Sequence, residues 1–150
     1  MQVVLYQPQI PQNTGNIIRT CAVTGSSLIL VPPLGFSISA KALKRAGLDY
    51  FEGVDVQIEE DLEKVIMRHM PRVFFFTSKT TQSFYTIDYR PEDLLVFGSE
   101  SHGLPDWVHE RYARHCVRIP MIEGARCLNL ATSVGIAVYQ AYSYFPKTLQ

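Results

Sequence analysis

Cysteine is scarce in this chain: Cys21, Cys116 and Cys127 form an odd count with no Cys-x-x-Cys pair. The start, Met1-Gln2-Val3-Val4-Leu5-Tyr6, has no basic segment and too short an apolar run for a secretory leader. Both features point to reduced thiols in a cytosolic protein and away from a disulfide framework. His69, His102, His109 and His115 show no pair at zinc-ligand spacing and no cysteine support, so no metal site is expected. The Gly-Lys-Ser/Thr of a phosphate-cradling loop and the Gly-x-Gly-x-x-Gly of a dinucleotide fold are both missing, which points away from nucleoside triphosphates and NAD. An excess of one charge is missing too. Fourteen basic against fourteen acidic side chains give a net charge of zero, which argues against a non-specific nucleic-acid binder that relies on its global field.

What charge there is clusters locally. Glu52, Asp55, Glu59, Glu60, Asp61 and Glu63 form an acidic block, and Lys41, Lys44 and Arg45 sit together just before it. Solvated helix faces are the ordinary reading of such runs; a local basic patch is the alternative. At 150 residues, 47% of them aliphatic or aromatic, the chain is expected to form one domain with a core that needs neither disulfide nor metal.

Short apolar runs alternate with helical patterns. Strands are expected at Val3–Tyr6, Leu28–Val31, Val54–Ile58, Val73–Phe76, Leu94–Phe97 and Val117–Ile119. Two prolines in Gln7–Gln12 argue against a regular element there, and Asn13 or Thr14 is expected to cap a helix running to Thr24, stopped by Gly25. Further helices are expected at Ala40–Ala46, capped by Ser39, at Glu60–Met70, and from Asp106 to about Arg114 after Pro105. From Leu128 to Phe145 no residue is charged. Leu130, Val134, Ala137, Val138, Ala141 and Phe145 mark one helical stripe, but Ile136, Tyr139, Tyr142 and Tyr144 spread over the rest. Asn129, Thr132, Ser133, Gln140 and Ser143 make this segment too polar to span a membrane. A helix apolar nearly all round is buried on two sides, so one face should pack on the sheet and the other on a second copy, giving a homodimer.

Such alternation specifies an α/β fold with a mainly parallel sheet flanked by helices, whose ligands sit beyond the carboxyl ends of the strands. Thr77-Ser78-Lys79, Gly98 to Pro105 and Met121 to Leu128 all follow strands there and should converge on one site. Gly98 and Gly103 suit a loop whose main chain approaches a ligand closely. Glu100 is badly placed for a core and well placed to accept hydrogen bonds from a substrate or to fix its loop. Arg19 stands on an otherwise apolar helix, either as a structural ion pair or as a functional cation. Asn129 suits a helix cap and a ligand role alike, and Tyr139 is by default a packing aromatic. Ser99-Glu100-Ser101-His102-Gly103 is also close to a nucleophile elbow, with Ser101 as a hydrolase nucleophile, but no histidine follows on a late loop to complete a triad.

Pro8-Gln9-Ile10-Pro11-Gln12-Asn13-Thr14-Gly15-Asn16-Ile17-Ile18-Arg19, Leu95 to Pro105, and Arg118-Ile119-Pro120-Met121 with Arg126-Cys127-Leu128-Asn129-Leu130 together resemble, in order, the three motifs of the SPOUT RNA 2′-O-methyltransferases. Leu43-Lys44-Arg45-Ala46-Gly47-Leu48-Asp49-Tyr50 further resembles the small branch that methylates the wobble ribose, nucleotide 34, of certain transfer RNAs. The resemblance implies a deep trefoil knot in the C-terminal half, a homodimer, tRNA as substrate and S-adenosylmethionine as methyl donor, with no metal. It places Phe76, Thr77, Gly98, Gly103, Ile119, Cys127 and Leu128 in cofactor binding. Arg19, Lys79, Glu100, Asn129 and Tyr139 fall at catalytic positions, and Asn16, Lys44, Arg45 and Arg126 at substrate-binding positions. Cys127 stands where the family commonly has serine, and Ala131-Thr132 replaces a more polar pair. Two other readings remain at this point: a non-catalytic RNA-binding relative and a small serine hydrolase.

Overall fold

The computed structural model describes residues 1–37 and 53–145. The expected helix Ala40–Ala46, the basic residues Lys41, Lys44 and Arg45, and Glu52 lie outside the described residues.

Among the described residues, six strands form one sheet: β1 (Gln2–Tyr6), β2 (Ser27–Val31), β3 (Val56–Ile58), β4 (Val73–Phe76), β5 (Leu94–Phe97) and β6 (Cys116–Val117). Their order is β3-β2-β1-β5-β4-β6, and each of these pairings is parallel. The central strands carry unbroken apolar runs because both faces of the sheet are covered. Side chains alternate between the faces. Val3, Leu5, Leu28, Leu30, Leu95 and Phe97 pack with helices α1 (Pro11–Thr24) and α4 (Leu130–Tyr142). Val4, Ile29, Val31, Phe75 and Val96 face the other way, onto α2 (Leu62–His69) and α3 (Asp106–Arg111). Beyond the amino ends of the strands, Arg72 donates to the fully buried carboxylate of Asp93 through Nε at 2.6 Å and Nη2 at 2.8 Å.

Among the described residues the expected strands and helices are present with differences at their ends, and a 3-10 turn over Phe84–Thr86 is added. Helix α1 starts at Pro11, with Ile10 as its N-cap, not at Asn13 or Thr14, which are buried in its first turn. The second proline of Gln7–Gln12 therefore opens a helix: at the first helical position its fixed φ is already right and its missing N–H costs nothing. Strand β3 is shorter than Val54–Ile58, and α2 is shorter than Glu60–Met70, with Asp61 accepting from the Lys64 N–H at 3.2 Å as its cap. From Asp55 to Glu63 the acidic block is largely solvated: Glu59 pairs with Arg68 at 3.0 Å and Glu63 with Arg111 at 2.7 Å.

Helix α3 stops at Arg111, short of Arg114, and a 3-10 turn over Ala113–His115 leads into β6. That strand is Cys116–Val117, one residue earlier than expected at its start and two residues earlier at its end. Beyond Val117 the chain leaves β4 for a different partner. The Arg118 N–H donates to Gln82 O at 2.8 Å and its carbonyl accepts from the Phe84 N–H at 3.0 Å. The connection from β4 to β5 thus meets the run that follows β6, in the region where the family resemblance implies a knot. Helix α4 is capped by Asn129, whose Oδ1 accepts from the N–H groups of Ala131 and Thr132. Its inward residues include Leu130, Val134, Ala137, Val138 and Ala141, as the stripe requires. Among the described residues, no helix is long and apolar enough to cross a membrane.

Candidate active site

Strands β1 and β5 are neighbours in the sheet although β2, β3 and β4 lie between them in sequence. From this pair the chain winds outward in both directions, and parallel sheets hold their ligands at such a point, beyond the carboxyl ends. A cavity of about 440 Å³ opens there, within the span of roughly 300–1,000 Å³ usual for small-molecule sites. Loops after β4, β5 and β6 supply most of its wall, as adjacency of the three strands dictates. Phe76, Thr77, Gly98, Gly103, Ile119, Cys127 and Leu128 all line it, with Lys79, Glu100 and Asn129.

Other residues singled out from the sequence lie elsewhere. Asn16 and Arg19 are exposed on the outer side of α1, and Tyr139 is exposed on the outer side of α4, away from the cavity wall. Arg126 is exposed on the loop after β6 and does not line the cavity. Lys44 and Arg45 fall outside the described residues.

The loop after β5 closes on itself. The Ser99 N–H donates to Gly103 O at 3.1 Å and the Gly103 N–H to Ser99 O at 2.9 Å. Gly103 sits at φ +69°, where glycine avoids the penalty of a Cβ. Gly98 is required for another reason. A Cβ there would stand 2.0 Å from the Gly103 carbonyl carbon and 2.2 Å from the Leu104 nitrogen, so the loop's own main chain fills the space.

Glu100 fixes the loop. Its Oε2 accepts from the Gln9 N–H at 2.8 Å, and its Oε1 accepts from the Ile10 N–H and from Asn13 Nδ2, each at 3.1 Å. This carboxylate anchors the chain where α1 begins, a position that also favours negative charge. Asn129 Nδ2 in turn donates to Asn13 Oδ1 at 2.8 Å. Lys79 pairs with Asp106 at 3.3 Å in an exposed contact at the cavity wall. Phe76 stacks on Phe97 with centroids 4.6 Å apart, giving the cavity an aromatic floor.

Three residues of this region have surroundings that reasoning from the sequence did not anticipate. Asn13 is a buried link in a polar chain, and Gln9 reaches the Ser101 hydroxyl. His109 lines the cavity with both ring nitrogens buried and without a hydrogen-bond partner among the described residues. A signal for His109 existed: it follows Pro105 by about one turn, and helical side chains lean back over the preceding turn, here toward the loop after β5. The hydrolase reading fails on geometry. Ser101 Oγ donates to Gln9 Oε1 at 2.6 Å, so its proton is not directed at a base, and among the described residues no carboxylate orients His102. Of the cysteines, only Cys127 is exposed; burial pushes the Cys21 thiol up to about 12 and raises that of Cys116.

The SpoU rRNA Methylase family model matches residues 1–139. The chain belongs to this family. A tRNA (cytidine(34)-2′-O)-methyltransferase of Methylovorus glucosotrophus is 46% identical over 142 residues, covering 93% of this chain and 92% of that protein. A structure solved under the words "structural insights into the 2-OH methylation of C/U34 on tRNA" superposes with a TM-score of 0.87 at 44% identity, covering 97% of this chain and 96% of the other. An AdoMet-bound rRNA methyltransferase from Sinorhizobium meliloti matches with a TM-score of 0.77 at 28% identity, over 95% of this chain and 56% of that one. The chain therefore has the methyltransferase fold, an α/β architecture on a parallel sheet, and its cavity lies among the loops that the family's motifs supply.

Proposed function

We propose that this chain is an S-adenosylmethionine-dependent tRNA 2′-O-methyltransferase acting on the wobble pyrimidine nucleotide 34, as a single methyltransferase domain whose C-terminal half is threaded as the trefoil knot. The observation that carries the reading is the convergence of the three motif loops on one cavity whose wall joins Glu100 and Asn129 through Asn13.

The cavity suits the cofactor. Phe76, Ile119 and Leu128 offer apolar surface to a flat adenine, and loop main chain around Gly98 and Cys127 offers hydrogen bonds to its edges. His109 adds an unpartnered imidazole. When bound, the cofactor supplies an electrophilic methyl group, so the protein has mainly to align a ribose hydroxyl and ease loss of its proton. Arg19 cannot serve as that base, because a guanidinium does not deprotonate in proteins; its role is to clamp phosphate and to stabilise developing negative charge on oxygen. Lys79 adds to the positive field, moderated by Asp106.

The enzyme works in the cytoplasm as a homodimer. The outer faces of α1 and α4 leave apolar surface in water, with Val23 64%, Ile136 37% and Tyr139 54% exposed. Asn16 and Arg19 share the outer side of α1 with Val23, so pairing two copies here gathers these residues along one interface and lets a groove across it carry the RNA. The test is transfer of labelled methyl from S-adenosylmethionine to bulk tRNA, followed by digestion to locate the product. A 2′-O-methylated pyrimidine at nucleotide 34 is expected. Label on a base, or at another nucleotide, contradicts the assignment, and a protein that binds tRNA without transfer is a non-catalytic relative.

A further inference from the structure

Gln9, on the loop after β1, reaches across to the loop after β5. Its Oε1 lies 3.1 Å from the Ser101 main-chain nitrogen and 2.6 Å from Ser101 Oγ. A main-chain N–H can only donate, so the oxygen of the Gln9 amide, not its nitrogen, must stand at that position. Ser101 Oγ also lies 2.6 Å from Nδ1 of His102. A hydroxyl has one proton. Given to Gln9 Oε1, which cannot donate, it leaves Ser101 Oγ as an acceptor toward His102. The imidazole must then carry its proton on Nδ1, and its basic lone pair is left on Nε2. His102 is exposed and lines the cavity.

We propose that Nε2 of His102 is the general base that takes the ribose hydroxyl proton; this rests on the methyl-transfer reading above. In the step, the 2′-oxygen forms a bond to the methyl carbon as the carbon–sulfur bond breaks. The electron pair of that bond stays on sulfur, the hydroxyl proton passes to Nε2, and the imidazolium later returns it to water. The other titratable side chains on the same wall are less suited. Both Glu100 oxygens already accept hydrogen bonds, Lys79 is a cation paired with Asp106, the His109 nitrogens are buried, and the Cys127 thiol is a weak acceptor. The Gln9–Ser101 pair is thus a positioning device. It fixes the tautomer of the base as a carboxylate does in a hydrolase, without adding charge.

Two measurements on the full-length protein test this. Long-range proton–nitrogen NMR of the free protein should show neutral His102 protonated on Nδ1, and Ser101→Ala should shift the ring toward the Nε2-protonated tautomer. A ring protonated on Nε2 in the wild type overturns the assignment without touching the methyl-transfer reading. Single-turnover methyl transfer to bulk tRNA should rise with unit slope at acidic pH and level off. His102→Ala and the conservative His102→Gln should lose that limb and slow the plateau by about 10²-fold or more, with added imidazole restoring part of the rate to His102→Ala. An unchanged limb in either folded variant overturns the role of His102. A wild-type protein that methylates no tRNA removes the reaction itself, and the base assignment with it, whatever the tautomer.

Discussion

Glu100 and Asn129 are joined through one side chain. Asn13 donates from Nδ2 to Glu100 Oε1 at 3.1 Å and accepts on Oδ1 from Asn129 Nδ2 at 2.8 Å. Asn129 can serve only in this orientation, because its Oδ1 already caps α4. One polar chain thus runs through all three motifs and sets the start of α1, the loop after β5 and the start of α4 relative to one another.

Removing a link should expose this coupling. Asn13→Ala and Glu100→Ala are each expected to destabilise the protein by about 1–2 kcal/mol, since each leaves partners unsatisfied. In a double-mutant cycle read by urea unfolding, their effects should be non-additive by at least about 0.5 kcal/mol. Simple additivity would show that the two residues act independently.

Gly98→Ala tests the loop. With a Cβ 2.0 Å from the Gly103 carbonyl carbon, the closed turn must open. S-adenosylmethionine affinity by calorimetry should fall by about tenfold or more, roughly 1.4 kcal/mol. Far-UV circular dichroism should stay unchanged, because the sheet beneath is formed by other residues. Binding at wild-type strength would mean that the loop does not shape the cofactor site.

Arg19→Ala is expected to abolish methyl transfer while leaving cofactor affinity within a few-fold, because Arg19 lies off the cavity wall. Arg19→Lys should fail as well if a planar, two-pronged cation is needed. Normal turnover by either variant would remove Arg19 from the reaction.

The dimer face needs variants chosen by exposure. Val138 is completely buried inside the protomer and Tyr142 nearly so, and glutamate at either should unfold the chain without testing the interface. Ile136→Glu or Tyr139→Glu should instead give folded monomers at micromolar concentration by sedimentation. A dimer that survives both changes must use another surface.

Thiol chemistry should separate the cysteines. Under native conditions a thiol reagent should label Cys127 alone; Cys21 and Cys116 should react only on unfolding. Burial moves Cys21 from a thiol's ordinary 9.0 up to about 12, so the native state keeps a proton that the unfolded chain releases in that window. Its contribution is fully present below pH 9 and is lost as pH rises toward 12, on the order of 4 kcal/mol. Cys21→Ser should flatten that alkaline decline in stability, while Cys127→Ser should retain or improve activity.

The sequence by itself determined the class of fold and the address of the site. Apolar runs such as Val73–Phe76 and Leu94–Phe97, short and separated by helical patterns, suit strands covered on both faces, and a parallel sheet puts its ligand loops beyond their carboxyl ends. Local chemistry also marked Gly25 as a stop and Asn129 as a cap. Tertiary structure decided the rest, because those outcomes depend on partners far away in sequence. Whether Asn13 caps a helix or bridges two motifs depends on where Glu100 and Asn129 arrive, 87 and 116 residues later. The end of β6 depends on Gln82 and Phe84 offering Arg118 a better partner than β4, which no window around Arg118 contains. Arg19 shares a motif, and Tyr139 a helix, with cavity residues, yet both face outward, because a helix turns successive side chains about its axis and only packing selects which side is buried. The proton on His102 has the same origin: it depends on Gln9, 92 residues from Ser101, which meets that loop only because β1 and β5 lie side by side.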